Sequence, residues 1–380
     1  MKVIRGGVTK PKGFKANGLG CGIKKSGRLD LGLIVSDCLA ESVTVFTKNS
    51  VKAAPLIISQ RHARNNKIQA IIVNSGNANC FTGDMGLIYA DRTTQLIGES
   101  LNIPKANVIV TSTGIIGKPL PFKKIRKAIP KLVKGLSATG SKRVANSILT
   151  TDLITKEKAV TITIGGEKVT LAGCAKGSGM IAPNMATMLG FITTDAAIST
   201  KMLKTAFKKA VDQSFNCITV DGCMSTNDMV TIMANGFAKN KIISKPGKDF
   251  NIFYEALQFI CLDLAKKIVL DGEGATKFIQ ITCLGAKTPK QAKNAGLAIA
   301  NSNLVKTAAY GNDPNWGRIA AAVGSLGINT INEKHLQIKF SPFHKSEIRI
   351  SVNLNIGNAS ATVYTSDLSN EYVRINGRYN

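Results

Sequence analysis

The amino-acid sequence predicts a mixed α/β fold, and three features carry that prediction. The chain has 380 residues, of which 44% are hydrophobic and 35 are glycine, which suits a globular protein with one large α/β unit or two substantial domains. Short β-like apolar runs alternate with helical patterns in the first half. Short alternating strands dominate after residue 336.

In the first half, turn and loop signals bound each predicted element. A strand at 68–73 enters an Asn- and Gly-rich turn at 74–79, and a helical pattern follows at 86–101. A second strand at 107–111 ends in a Ser/Thr/Gly loop at 112–117. This alternation of strand and helix indicates α/β organisation.

A basic segment and a hairpin follow. Residues 122–136 are amphipathic, and Pro130 is expected to interrupt their helical pattern. Strands at 159–164 and 168–171 are joined by the pair at 165–166, both glycines, which predicts a β-hairpin.

Beyond residue 195 the pattern predicts two helices and several strands. Apolar residues at i, i+3, i+4, i+7 and i+8 form one stripe of the first helix, whose other face carries lysines. This stripe consists of Leu203, Ala206, Phe207, Ala210 and Val211. The segment 195–199, just before this helix, is the most natural boundary between an N-terminal domain, 1–195, and a C-terminal domain, 196–380. The later elements are a helix at 250–269 and strands at 278–283, 336–340, 347–354 and 361–365.

The chain carries a formal charge of +27, because 50 lysines and arginines face only 23 acidic residues. Three interpretations are open: a solvated basic surface, attraction of anionic substrates, and contact with nucleic-acid phosphates. The densest basic cluster, 123–127, includes no aromatic residue, and aromatic residues are only 6% of the chain, which disfavours base stacking. We therefore prefer the solvated surface and expect no nucleic-acid partner.

Metal catalysis and a disulfide framework find little support. The 8 cysteines are scattered without a Cys-x-x-Cys pair, and the 3 histidines lack metal-ligand spacing. No run of about 18 uncharged apolar residues predicts a membrane span, and the N-terminus lacks the apolar core of a secretory signal. We expect free thiols, no metal, no membrane association and a cytoplasmic location.

The segment 176–195 is the most informative part of the sequence, because it has the features of a self-cleavage site. Two glycines and Pro183 favour an irregular loop, and small Ala186 leaves room for a tetrahedral intermediate beside Thr187. Cleavage between these two residues converts the nitrogen of Thr187 into an α-amine with a pKa of about 7.7–8.0, a suitable base for its own hydroxyl. Taken alone, the segment fits a turn entering a buried strand at 188–192 somewhat better, with Thr187 only capping that strand.

Further motifs extend the pattern across nearly the whole chain. They lie at 44–55, 74–79, 112–117, 150–152, 225–228, 271–277 and 313–318. In their order the sequence resembles the ornithine acetyltransferase family, the glutamate N-acetyltransferases of arginine biosynthesis. The resemblance implies a two-domain α/β sandwich of the autoprocessed type. It also implies mature chains 1–186 and 187–380, assembled as α2β2.

The resemblance assigns a role to each candidate site residue. Thr187 is the nucleophile, and Thr113 with Gly114 forms the oxyanion hole. Cys223 stands where family members usually carry an aspartate. The residues that contact substrate, besides the nucleophile, are Thr150, Lys176, Glu273 and Asn376.

Judged locally, several of these residues also fit structural roles. Lys176 suits a substrate carboxylate and Glu273 an ammonium, but each alone could form a surface ion pair. Thr150 could contact substrate or cap a helix. The loop that carries Thr113 resembles many ordinary Ser/Thr/Gly loops.

The expected reaction is a ping-pong transfer of acetyl from N2-acetyl-L-ornithine to L-glutamate through an acetyl-threonine ester. No cofactor is expected, and acetyl-CoA is an additional acetyl donor that the resemblance allows. A hydrolytic N-terminal-nucleophile amidase or aminopeptidase is the rival of the same mechanistic class. A nucleic-acid-associated protein is the rival of another class. The expected partners are the two small substrates and further copies of the chain's own products.

Overall fold

Two β-sheets with helices packed on them form the framework in a computed structural model that describes residues 1–182 and 188–378. The predicted mixed α/β fold is confirmed. The strands are β1 Lys2–Ile4, β2 Phe14–Leu19, β3 Leu31–Phe46, β4 Lys67–Asn77, β5 Val108–Ile115, β6 Lys156–Ile164, β7 Glu167–Lys176, β8 Leu189–Thr194, β9 Met229–Ala234, β10 Phe278–Ala286, β11 Gln337–Phe340, β12 Glu347–Asn353 and β13 Ala359–Ser366. The helices are α1 Ala54–His62, α2 Gly83–Leu101, α3 Phe122–Lys134, α4 Ser141–Ser147, α5 Thr200–Asp212, α6 Lys248–Leu270, α7 Pro289–Asn301, α8 Asn303–Tyr310, α9 Trp316–Gly324 and α10 Asn370–Asn376.

The larger sheet has the strand order β1-β6-β7-β8-β9-β3-β4-β5, and β2 pairs with β3. The β8–β9 and β4–β5 pairs are parallel, and the other pairs are antiparallel. Its centre is buried on both faces: Ile192 of β8 packs in the core beneath α5 and α6, while Phe191 packs in a second core with Val144 of α4. Helices therefore cover both faces of this sheet at its centre.

The local predictions around the β6–β7 hairpin and α5 are confirmed. Gly165 and Gly166 have φ values of +57° and +89°, a conformation that glycine adopts without steric cost. Helix α5 begins where the Ser199 side chain accepts a hydrogen bond from the backbone N–H of Met202. The predicted apolar stripe of α5 is buried.

Helix α3 differs from the prediction at Pro130, because the helix continues through this residue to Lys134. A proline inside a helix removes one backbone hydrogen bond. Buried side chains lie on both sides of the proline in this helix: Phe122, Ile125 and Ile129 before it, and Leu132 after it. Packing on both sides of the proline offsets the lost hydrogen bond and keeps one helix.

The smaller sheet has the order β11-β12-β10-β13, with α7 packed on β10 and β13. The predicted helix at 250–269 and the predicted C-terminal strands correspond to α6 and β10–β13. The chain passes from the larger sheet to the smaller one between β9 and β10. Strand β8, before the predicted domain boundary, pairs with β9, after it. The boundary at 195/196 stays a prediction about domain organisation.

Within the described ranges, no helix is both long and apolar enough to cross a membrane. The cysteines are free thiols, five of them buried, and Cys223 is exposed.

Candidate functional site

A cavity of about 340 Å³ opens where several strands of the larger sheet end. Strand β5 ends there at Ile115, and β7 ends at Lys176. The cavity brings together the six predicted site residues that the structure describes: Thr113, Gly114, Thr150, Lys176, Glu273 and Asn376. The remaining lining residues are Ile115, Ile116, Thr151, Gly179, Met180, Ser225, Thr226 and Asn227.

Thr113 and Gly114 lie at the end of β5, beside the parallel strand β4. Gly114 has a φ of +131°, and a Cβ atom there would lie 2.4 Å from the backbone carbon of Gly76 and 2.5 Å from the nitrogen of Asn77. Only glycine fits this close approach of two backbones. The position therefore presents backbone, without a side chain, to the cavity.

Lys176 is buried and 7% exposed, and it supplies the positive charge of the cavity wall. Its Nζ donates to Thr113 Oγ1 over 3.3 Å and lies 3.9 Å from Asp152 Oδ2. Burial lowers the pKa of the Lys176 ammonium, while the charge of Asp152 opposes that shift. Since Thr113 Oγ1 accepts from the ammonium, its own hydrogen is left to point elsewhere.

Glu273 supplies the negative charge and is 8% exposed. Asn376 Nδ2 donates to its Oε2 over 2.8 Å, and the Glu273 backbone N–H donates to the Ser178 carbonyl over 2.8 Å. Gly179 faces the carboxylate so closely that a Cβ there would lie 2.2 Å from Oε2. The Glu273 side chain is therefore held in one orientation.

Helix α10 brings Asn376 to the cavity. The Ser369 side chain accepts from Tyr372 N–H at the start of the helix and donates to the Gly274 carbonyl over 2.6 Å. The Tyr372 hydroxyl donates to Asp221 Oδ2 over 3.2 Å. These contacts hold the helix against the loop that carries Glu273, so the two predicted residues meet although 103 positions separate them.

Thr150 begins no helix: between α4 and β6 the described backbone is irregular. The capping interpretation of this residue is therefore wrong. Thr150 lines the cavity, and both its N–H, over 3.0 Å, and its hydroxyl, over 3.5 Å, donate to Asp152 Oδ2.

Two predicted residues, Ala186 and Thr187, lie outside the described residues. The chain on their C-terminal side is described from Met188, and β8 starts one residue later with Leu189 opposite Lys176.

Cys223 does not line the cavity; its backbone N–H donates to Asp221 Oδ1 over 3.1 Å.

Sequence reasoning missed the wall formed by 225–227 and the carboxyl group behind it. Asn227 Nδ2 donates to the carbonyls of Ala78, at 2.7 Å, and Ser112, at 2.8 Å, which ties this wall to β5.

Asp228 is 2% exposed, and its Oδ2 has no hydrogen-bond partner among the described residues. Burial raises its pKa well above the usual range, although Ser225 and Lys176 act in the opposite direction. The Ser-Thr-Asn-Asp motif was the available signal, but its neutral residues suggested no role.

Within residues 1–182 and 188–378, no three His, Cys, Asp or Glu side chains are grouped so that they could hold a metal ion. The polar groups of the cavity are instead one ammonium, one carboxylate, hydroxyls and amides. Such a set suits a small ligand with both a negative and a positive group.

The profile of the ArgJ family matches residues 15–344 and 341–380. The chain belongs to the ArgJ family. This confirms the resemblance seen in the ordered motifs. An ArgJ relative from Geobacter sulfurreducens, named arginine biosynthesis bifunctional protein, is 46% identical over 97% of this chain and 99% of its own length. The protein of the same name from Caldanaerobacter subterraneus subsp. tengcongensis is 44% identical over the full length of both chains.

Among solved structures, the ornithine acetyltransferase of Mycobacterium tuberculosis, in complex with ornithine, is 33% identical to this chain. The match covers 49% of this chain and 98% of that one, with a TM-score of 0.45.

Proposed function

We propose that this ArgJ family member is an autoprocessed acetyltransferase of arginine biosynthesis. It moves the acetyl group from N2-acetyl-L-ornithine to L-glutamate through an ester on Thr187. One observation carries the proposal: a single cavity holds a buried cation, a buried anion and a backbone position that admits only glycine. An α2β2 assembly and a cytoplasmic location stay predictions.

The charges of the cavity suit the two substrates. Lys176 matches the α-carboxylate that both substrates carry. Glu273 matches an ammonium, which is the δ-ammonium of N-acetylornithine or the α-ammonium of glutamate. A charged hydrogen bond of this kind contributes roughly 1.5–3 kcal/mol when it is buried. One pocket with both charges therefore serves two substrates that enter in turn.

The hydroxyl of Thr187 attacks the acetyl carbonyl, and its own α-amine takes the hydroxyl proton. The developing oxyanion accepts hydrogen bonds from the Thr113 hydroxyl and the Gly114 N–H. Thr113 Oγ1 accepts a hydrogen bond from Lys176 Nζ over 3.3 Å, so the hydrogen of the Thr113 hydroxyl points away from Lys176. This orientation supports the role of Thr113 as an oxyanion donor.

The α-ammonium of Thr187 returns the proton that it took from the Thr187 hydroxyl to the departing nitrogen, and ornithine leaves. The α-ammonium of bound glutamate loses a proton to solvent, and the resulting amine attacks the ester carbonyl. The bond from the carbonyl to the Thr187 oxygen breaks, and the second proton of the attacking nitrogen passes through the Thr187 α-amine to that oxygen, which restores the hydroxyl.

The α-amine exists only after the bond between Ala186 and Thr187 breaks. The Thr187 hydroxyl attacks the Ala186 carbonyl, an N→O acyl shift gives an ester, and water hydrolyses that ester. The position of β8 supports this proposal. This strand begins at Leu189, two residues after Thr187, and Leu189 pairs with Lys176 of β7. Thr187 therefore lies two positions before the strand that pairs with β7, whose last residue, Lys176, lines the cavity.

Intact mass under denaturing conditions tests the nucleophile. We expect two chains, one of which begins at Thr187, and a single uncleaved chain for Thr187→Ala. That variant should also lose acetyl transfer from N-acetylornithine to glutamate. Thr205→Ala, at an exposed position on α5, is the matched control and should be cleaved and active. A cleaved or active Thr187→Ala protein would contradict the proposal.

Product analysis in the same assay separates transfer from hydrolysis. With glutamate present, we expect N-acetylglutamate and ornithine in equal amounts. Release of free acetate and ornithine alone would favour the hydrolytic amidase instead. The names of the relatives indicate a bifunctional protein, and acetyl-CoA in place of N-acetylornithine tests the second acetyl donor.

A further inference from the structure

Lys156, the first residue of β6, is a fully buried cation that does not line the cavity. Its side chain is 0% exposed, and its Nζ lies 2.7 Å from Asp152 Oδ1 and 2.5 Å from Asp271 Oδ2. Both carboxylates are buried as well. Burying three charges carries a large desolvation cost that only close pairing offsets. The triad is therefore a fixed arrangement whose members depend on one another.

Asp152 connects Lys156 to the positive side of the cavity. Its Oδ1 also accepts a hydrogen bond from Gly177 N–H over 2.7 Å, and its Oδ2 accepts one from Thr150 N–H over 3.0 Å. The same Oδ2 lies 3.9 Å from Lys176 Nζ. Although burial raises the pKa of Asp152, the charges of Lys176 and Lys156 hold it below the usual range. An ionised Asp152 thus fixes two loops of the cavity wall.

Asp271 connects Lys156 to the negative side. It accepts a hydrogen bond from Leu153 N–H over 3.1 Å, which joins it to the loop that follows Asp152. It precedes Glu273 by two residues, and Glu273 N–H in turn donates to the Ser178 carbonyl over 2.8 Å. The end of β7, which carries Lys176, and the loop that carries Glu273 are therefore held through one ammonium group.

We propose that Lys156 is a positioning residue for substrate binding, which fixes Lys176 and Glu273 relative to each other through Asp152 and Asp271. The inference rests on the proposed function, because it takes these two wall residues as the contacts for the substrate carboxylate and ammonium. Without Lys156, the ammonium of Lys176 is the ion-pair partner left to Asp152 among the described residues. Lys176 then moves toward Asp152 and away from Thr113, and the loop of Glu273 loses its anchor.

Steady-state kinetics of Lys156→Met in the processed enzyme test this role. We expect the KM for N-acetylornithine and for glutamate to rise at least ~10-fold each, since misplacement by about 1 Å is costly in a preorganised site. We expect kcat to fall less than ~3-fold, because the nucleophile and the oxyanion donors remain. A loss of binding on both substrates with kcat retained is not the signature of general unfolding.

Lys158→Met is the matched control on the same strand. Lys158 pairs with Asp263 at 2.9 Å, near the protein surface, and touches none of the cavity residues. This variant should keep wild-type KM values. If Lys156→Met does not fold or mature, Asp271→Asn takes its place. It keeps the shape of the side chain, removes one charge of the triad and should raise both KM values in the same way.

Two outcomes overturn the inference. One is a folded Lys156→Met or Asp271→Asn enzyme with KM values close to wild type, and the other is a loss confined to kcat. Failure of the proposed function gives a different result, because the wild-type protein itself then transfers no acetyl group from N-acetylornithine to glutamate.

Discussion

Glu273 is the residue whose charge can be removed with the least change of shape. Its Oε2 accepts a hydrogen bond from Asn376 over 2.8 Å, and a glutamine can still accept there through its amide oxygen. We expect Glu273→Gln to raise the KM for N-acetylornithine and for glutamate roughly 10- to 100-fold, the loss expected for a buried hydrogen bond to a charged group. Initial-rate kinetics on both substrates measure this.

Glu371→Gln is the control for that change. Glu371 lies on α10, the helix that carries Asn376, and pairs with Arg374 at 2.8 Å, with its side chain 44% exposed. Exposed pairs of this kind contribute little, so its KM values should match wild type. Equal KM values in both variants would show that Glu273 does not bind an ammonium.

Gly114 and Gly117 allow a second paired test at the residue scale. Both have positive φ, +131° and +81°, but a Cβ at Gly117 meets nothing within 4 Å. Gly114→Ala adds a clash with the backbone of Gly76 at 2.4 Å, which displaces the N–H proposed to bind the oxyanion. We expect kcat to fall ~10²-fold or more in Gly114→Ala, the usual loss of one oxyanion donor.

Gly117→Ala should show backbone strain alone. Its expected effect is a loss of stability of roughly 1–3 kcal/mol with kcat close to wild type. Urea unfolding and kcat measured on both variants decide between strain and catalysis. A Gly114→Ala enzyme with full kcat would exclude Gly114 from the oxyanion hole.

At the scale of the elements, local signals predicted what depends on local physics. The β6–β7 hairpin follows from two glycines, and α5 follows from its apolar stripe. Strand β3, 16 residues long, was not predicted: it pairs with β2, β4 and β9, which lie far apart in the sequence. Its pairing is settled by tertiary contacts that no short window of sequence contains.

The site shows the same division. The family motifs supplied the residue types, but their meeting depends on strand order and on α10 lying over the loop of Glu273. Asp228 and Lys156 were missed because burial, and not residue type or spacing, makes them unusual. Burial of a charge is a property of the folded chain.

Lys306 of α8 gives a prediction at the element scale. Its Nζ donates to Thr365 Oγ1 over 3.0 Å and to the Ser366 carbonyl, which joins α8 to the end of β13. Burial lowers the pKa of this ammonium to about 8, while Asp367 and Asp221 oppose the shift. The folded-state pKa lies below the unfolded value of about 10.4. The associated stability is therefore complete above pH ~10.4 and is lost as the pH falls through about 8.

We expect the free energy of unfolding of the wild type, relative to Lys306→Met, to increase by about 2 kcal/mol between pH 7.5 and 9.5. Urea unfolding of both proteins at the two pH values measures the difference. The comparison removes the contribution of other titrating groups, which both proteins share. Parallel pH dependences of the two proteins would mean that Lys306 does not have a depressed pKa.

At the scale of the whole molecule, the larger sheet interleaves the two proposed products of cleavage. Strands β8 and β9 belong to 187–380, whereas their outer neighbours β7 and β3 belong to 1–186. The β7–β8 ladder joins six residue pairs, and the β3–β9 ladder joins six more. Two strands of one product thus lie between strands of the other, and separating the products requires opening the sheet on both sides.

We therefore expect cleavage to leave the fold intact. Native mass spectrometry of the processed protein should give a species that contains both products, and size-exclusion chromatography should elute it with the uncleaved Thr187→Ala protein. Denaturant should separate the products. Expressed alone, the 1–186 chain lacks β8 and β9 and leaves open the edges of β7 and β3, so it should aggregate. An unpaired strand edge in the middle of a buried sheet leaves its backbone groups without hydrogen-bond partners. This arrangement would therefore be contradicted by products that separate on a native column, or by a 1–186 chain that is soluble and folded.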